Sequence, residues 1–209
     1  AKATDEHTFG ALINGNLTIA RLLNGKTPFD PEKDFAPLGL IGTAPLVLTL
    51  AGNAEGKTPV DLVHWARSQG AAASYGTPGV GTVGHLGMEL LKSRTGITAR
   101  HQPFNGNPAV IKAMLEDKVQ MALLPPGLAM PQVQSGKLRA AGVTSPEPSP
   151  LVSGMNTLRD ASVRGADLEI WTALAAPASL PEPIVNKFNA ALVEVLRRPE
   201  VSKRLLEAG

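Results

Sequence analysis

The stretch Ala73-Ser74-Tyr75-Gly76-Thr77-Pro78-Gly79-Val80-Gly81-Thr82-Val83-Gly84-His85-Leu86 decides the fold. It begins as a short strand, breaks into a glycine-rich loop and opens a helix expected over Val83–Thr95, which Gly96 stops. Such a junction aims free backbone N–H groups and the positive end of a helix dipole at one point. An anion there gains about 0.3–1 kcal/mol from the dipole. Gly79 and Gly81 allow a ligand oxygen close to the backbone, and Thr77 and Thr82 are placed to add hydroxyl donors.

Three chemistries compete for this loop. Gly79-Val80-Gly81-Thr82-Val83-Gly84 formally satisfies the dinucleotide pattern G-x-G-x-x-G. That pattern also wants an acidic residue at the end of the next strand to hold the ribose. Here the strand ends His101-Gln102-Pro103-Phe104-Asn105, without a carboxylate. Gly76 and Gly81 have the spacing of a P-loop, but Thr82 stands where that loop needs lysine. A small anion, most simply a carboxylate, fits best, with a purely conformational glycine turn as the alternative. The turn Phe104-Asn105-Gly106-Asn107 joins another strand to another helix. Both turns are expected at the carboxyl ends of parallel strands, where open α/β sheets bind ligands. Asn14 and Asn16 close an earlier strand in the same manner. Together these turns would form a neutral, donor-rich cleft.

Outward from the loop, strands alternate with helices, which implies βαβ units and a doubly wound parallel sheet. Strands are expected at Thr8–Ile13, Leu38–Ile41, Leu46–Leu50, Ala71–Tyr75, Ile97–Gln102, Met121–Leu124, Leu138–Val143 and Leu168–Ala175. Helices are expected at Leu17–Leu23, Val60–Ser68, Pro108–Glu116, Pro126–Ser135, Glu182–Arg197 and Glu200–Glu207. Asn14-Gly15-Asn16 reads as a turn, and Gly42 to Pro45 as a break between strands. Residues 45–138 form a self-contained lobe in this reading, flanked by a discontinuous one of 1–44 and 139–209.

Composition narrows the function. The 209 residues are 43% apolar and only 18% charged, which argues against disorder. Twenty basic against eighteen acidic residues leave a net charge of +2, and the basic residues are scattered, so no nucleic-acid partner is expected. Aromatics, at 4%, are too few for base-stacking platforms. Without cysteine there is no disulfide scaffold, thiolate metal site or Cys nucleophile. His85 and Glu89 lie one helical turn apart, but two ligands make no zinc site, and no metal or cofactor is expected. No apolar run approaches the length of a membrane-spanning helix, and Ala1–Ala20 carries no signal-peptide pattern.

The sequence resembles the Bug-type receptors, the periplasmic substrate-binding proteins of tripartite tricarboxylate transporters. The likeness is carried by Pro28-Phe29-Asp30-Pro31-Glu32-Lys33-Asp34-Phe35, Ala44-Pro45-Leu46-Val47-Leu48 and Gly79 to Leu86. It continues through His101 to Ala109, Gly136 to Ala140 with Val143-Thr144-Ser145, and Trp171 ahead of Ala176-Pro177. The match is collinear over nearly the whole chain. It implies a type II periplasmic-binding-protein fold, two α/β lobes around a cleft, and no enzymatic activity. It also implies capture of a small organic carboxylate, handed to membrane transporter subunits from a periplasmic location. The ligand contacts expected are Asn14, Asn16, Thr77, Gly79, Gly81, Thr82, His85, Phe104, Asn105 and Gly106. Against the family pattern the chain begins part-way through the first lobe, so that lobe is expected to be incomplete, with exposed edge strands open to a homo-oligomer. The family's frequent Asp after the strand of Met121–Leu124 is replaced here by Leu124-Pro125-Pro126. Its usual aromatic-Lys-Gly turn reads Phe104-Asn105-Gly106. An enzyme using a nucleotide on the glycine loop, or an assembly module without ligand, are the rival functions.

Overall fold

A computed structural model describes residue 3 and residues 5–208. The chain divides into two units, one of residues 44–169 and one of 1–43 with 170–208. The larger unit is built on five strands in the order β5-β4-β6-β3-β7. In chain order these are β3 (Val47–Ala51), β4 (Ser74–Thr77), β5 (Arg100–Pro103), β6 (Met121–Leu124) and β7 (Leu138–Val143). Every residue of β3, β4 and β6 is buried. They are flanked by strands on both sides, and the polar Thr49, Ser74 and Thr77 are buried with them. Val47, Leu124, Val110, Met114, Val143 and Leu138 form one packed cluster.

The expected α/β alternation holds, with one strand against the parallel direction. β4 pairs in parallel with β5 and β6, whereas β3 is antiparallel to both β6 and β7. The reason lies in α6 (Pro126–Gln134), which carries the chain from β6 to β7 and leaves a gap one strand wide between them. β3 fills that gap from the other direction. Its pairing with β7 slips between Leu48 and Thr49, where Gly142 faces Leu48 and Ala140 faces Thr49. Ala141 is the extra residue of this bulge.

This pairing also moves a boundary. The return to the first lobe was expected at 139, but β7 belongs to the sheet of the larger unit, and residues 139–169 stay with it. Thr144 fastens the segment: its hydroxyl accepts from Leu46 N–H at 2.8 Å and donates to Leu168 O at 2.6 Å. Arg159 adds a two-pronged bond to Asp167 at 2.9 and 2.7 Å.

The helices of this unit begin and end at local capping residues. α3 (Pro59–Ser68) starts with a reciprocal cap between Thr58 and Asp61, and has proline at its first position. α4 (Val83–Thr95) starts at Thr82 and ends at Gly96, which adopts a left-handed φ of 74°. α5 (Asn107–Leu115) follows β5.

In the smaller unit, β1 (Gly10–Ile13), β2 (Phe35–Pro45) and β8 (Glu169–Pro177) form a sheet in the order β1-β8-β2, with β1 antiparallel to β8. α7 (Glu182–Leu196) covers it through Leu38, Ala176 and Leu180, packed with Leu174, Ile184, Val185 and Phe188. α8 (Pro199–Ala208) closes the chain. α1 (Ala20–Leu23) and α2 (Pro31–Asp34) are single turns. Two expectations fail here. Asn14-Gly15-Asn16 is not a turn, because Asn14 is already helical at φ −43° and ψ −45° and leads into wide turns over Gly15–Ile19. Gly42 to Pro45 does not interrupt β2, which runs through them in extended conformation.

Gly142 combines a positive φ with a close approach to neighbouring backbone. Its φ is +150°, and a Cβ there would stand 3.0 Å from Asn156 O. Gly142→Ala is expected to lower the unfolding free energy by about 1–3 kcal/mol, measured by urea denaturation. Gly42→Ala, with open space around its Cβ, should change it by less than about 0.5 kcal/mol.

Candidate functional site

The candidate site is formed within the larger unit by the loops that follow β4 and β5. These neighbours run in parallel, with Tyr75 opposite His101 and Thr77 opposite Pro103. Both therefore deliver their loops to the same sheet edge. Phe104 N–H donates to Thr77 O at 2.9 Å, and Gly106 N–H to Pro78 O at 3.4 Å, so the second loop hangs from the first.

The first loop is braced by its own side chains. Buried Thr77 places its hydroxyl 3.2 Å from Gly79 O and accepts from Gly79 N–H at 3.4 Å. Thr82 donates its hydroxyl to Gly79 O at 2.8 Å and accepts from His85 N–H at 3.4 Å, which caps α4. His85 Nδ1 accepts from Gly81 N–H at 3.1 Å. That bond requires the tautomer with hydrogen on Nε2. Gly79 and Gly81 adopt φ of +148° and +76°, where a side chain is strained. The N–H groups of Val83 and Gly84 open the helix and have no intrahelical acceptor.

Beneath the loop lies a polar aromatic cluster. The rings of His85 and His101 stack with centroids 4.0 Å apart, and Tyr75 stacks on His101 at 5.0 Å. Tyr75 donates its hydroxyl to Glu89, and Lys92 donates to the same carboxylate at 2.8 Å. Burial, with Glu89 beside it, pushes the Tyr75 phenol well above its ordinary range. The Lys92 ammonium and the Tyr75 hydroxyl hold Glu89 below the usual carboxylate value. Burial lowers His101, and the neighbouring His85 lowers it further. His101 Nε2 lies 2.6 Å from the Thr77 hydroxyl. Among the described residues no group of three His, Asp or Glu could hold a metal ion, and no helix is long and apolar enough to cross a membrane.

A family model for the tripartite tricarboxylate transporter family receptor matches residues 1–209. The chain belongs to this receptor family. It is 27% identical over 212 residues to the UPF0065 protein in the tcbD-tcbE intergenic region of Pseudomonas sp. (strain P51), covering 100% of this chain and 62% of that protein. It thus spans less than two thirds of that relative's length. A solved structure titled R. palustris Rpa4515 with adipate superposes with a TM-score of 0.90 at 26% identity, covering 99% of this chain and 69% of that one. MatC (Rpa3494) from Rhodopseudomonas palustris with bound malate gives 0.84 at 29% identity, with 99% and 70% covered. Periplasmic binding protein BugD, at 22% identity and a TM-score of 0.85, shares the fold. The α/β fold of the periplasmic receptors is therefore that of this chain, and the family is one of receptors rather than enzymes.

Of the residues singled out in the sequence, Thr77, Gly79, Gly81, Thr82, His85, Phe104, Asn105 and Gly106 come together at this edge of the larger unit. Thr82 is not a spare donor as expected, because its proton goes to Gly79 O. Asn14 and Asn16 belong to the smaller unit. There the side-chain Oδ1 of Asn14 accepts from Trp171 N–H at 2.9 Å, and Oδ1 of Asn16 from Ile13 N–H at 3.3 Å. Tyr75, Glu89 and Lys92 were not foreseen as part of the site. Helical spacing relates His85, Glu89 and Lys92, but only strand register sets Tyr75 beside His101. The buried Oδ1 of Asn107 has no partner among the described residues.

Two outcomes follow from this geometry. Thr77→Val keeps the side-chain shape but removes the buried hydroxyl, and should cost about 1–3 kcal/mol in urea denaturation. The depressed His101 makes the folded state bind fewer protons than the unfolded one near neutrality. Its contribution is complete above about pH 6.5 and is lost as the pH falls through its lowered value. The melting midpoint should fall between about pH 7.5 and 5.5, and fall less in His101→Gln.

Proposed function

We propose that this chain is an extracytoplasmic solute receptor that binds a small organic carboxylate and delivers it to a tripartite membrane transporter. The carrying observation is the glycine loop at the head of α4. Its side-chain bonds fix the backbone with φ positive at Gly79 and Gly81, while the first N–H groups of α4 are left for an outside acceptor. Neither Gly76–Leu86 nor Phe104–Ala109 contains Asp or Glu, so nothing at the loops repels an anion. One carboxylate group docks on the N–H groups of Val83 and Gly84 at the head of α4, within reach of the helix dipole. His85, with Nε2 carrying hydrogen, supplies a neutral donor. Phe104, Asn105 and Gly106 frame the same ligand from the β5 loop.

Family membership and the relatives titled with adipate and malate support a carboxylate of that size. They also support a periplasmic place of work. A nucleotide cofactor is disfavoured because the strand after the loop ends in Gln102-Pro103, followed by Phe104-Asn105, with no carboxylate for a ribose.

The test is a thermal melt of the protein against adipate, malate, benzoate, NAD and ATP. A carboxylate held at 100 times its Kd should add about 2.7 kcal/mol of stability, and NAD and ATP should add nothing. Thr82→Val frees Gly79 O and should weaken the carboxylate found by about tenfold, or 1.4 kcal/mol. A shift with NAD or ATP alone would replace the receptor with a nucleotide-binding function.

A further inference from the structure

The two stacked histidines are each tied to the glycine loop, by bonds of different kinds. His101 Nε2 faces the Thr77 hydroxyl at 2.6 Å. A hydroxyl both donates and accepts, so this contact survives with or without a hydrogen on Nε2. His85 Nδ1 faces Gly81 N–H at 3.1 Å. A backbone N–H only donates, so this bond exists only while Nδ1 keeps its lone pair. A proton on His85 sets two donors against each other and removes the bond.

We propose that His85 is a pH-sensitive latch on the glycine loop: the neutral imidazole holds Gly81 in place, and the protonated one releases it. The charged and titratable groups around the latch come from two strands and one helix. From β5 comes His101, stacked at 4.0 Å, so two protonated rings would repel face to face. From β4 comes Tyr75, whose phenol stays protonated across the whole range concerned. From α4 itself come Glu89 and Lys92, one and two turns further on. Glu89 favours a proton on His101, but its carboxylate already receives the Tyr75 hydroxyl and the Lys92 ammonium. Lys92 opposes a proton on His101, as do burial and His85.

Release of Gly81 removes one of the bonds that fix the loop, and leaves Thr82 and Thr77 to hold Gly79 alone. If the loop binds a carboxylate, as proposed above, acidification loosens the very backbone that receives it, although the ligand itself remains ionised. The latch does not depend on that reading and is tested without any ligand.

The experiment is a titration of the protein, labelled with 15N at glycine and histidine, from pH 8 to pH 5. The Gly81 amide exchange rate, corrected for its intrinsic pH dependence, and the His85 ring shifts are followed together. Exchange at Gly81 is expected to rise by about tenfold along the same curve that reports His85 protonation. In His85→Asn, an amide carbonyl stands at the position of Nδ1 and accepts without titrating, so Gly81 exchange should stay within about twofold over the range. A wild-type Gly81 that stays protected while His85 titrates would overturn the latch, and so would a step that survives in His85→Asn. Should that variant not fold, the wild-type curves decide alone, since Gly81 must follow His85 rather than His101. Failure of the carboxylate panel would leave this outcome untouched, and failure of the titration would leave the panel untouched.

Discussion

Passing from a buried strand into a helix within five residues strips the backbone of sheet partners before helix partners exist. A buried polar group left in that state costs about 1–3 kcal/mol. Thr77, Thr82 and His85 supply the missing partners, two around Gly79 and one at Gly81. The β5 loop depends on the result, because its Phe104 and Gly106 N–H groups bond to Thr77 O and Pro78 O. One set of short-range bonds thus shapes both loops at the candidate site.

The sheet below sets which loops share that edge. β4, β5 and β6 run in one direction, so their carboxyl ends gather together. Only two of the three following loops are donor-rich. After β6 the chain reads Pro125-Pro126, and neither residue has an N–H to offer. Where the family pattern often places Asp, Leu124 is fully buried in the core. The edge therefore offers hydrogen bonds from the β4 and β5 side and a closed, apolar end from β6.

Local signals in the sequence were legible because local physics fixes them. Thr82 and Gly96 bound α4, and the runs Met121–Leu124 and Leu138–Val143 are β6 and β7 as read. Non-local features were not. The direction of β3 depends on a gap left between β6 and β7, more than seventy residues downstream. The same insertion keeps residues 139–169 with the larger unit. Asn14-Gly15-Asn16 has turn composition, yet it is helical, and the side-chain Oδ1 of Asn14 is taken up by Trp171 N–H far along the chain. At the site, residue types pointed to the glycine loop, but the stack of Tyr75, His101 and His85 needed strand register, which composition does not encode.

The charge at this edge bears on how an anion would be held. Lys92, the cation of the cluster, is already bonded to Glu89 and lies 5.2 Å from the centre of the Tyr75 ring. The helix dipole contributes about 0.3–1 kcal/mol, whereas each hydrogen bond to a charged acceptor contributes about 1.5–3 kcal/mol. For the proposed carboxylate, several N–H groups of one loop would therefore outweigh the dipole. Affinity of that kind depends on loop shape more than on net charge, and is less screened by salt than a pair of exposed ions. It also makes the loop's own braces decisive. Thr77 and Thr82 do not themselves titrate, and in the proposed latch the imidazole of His85 is the brace through which acidity acts on Gly81.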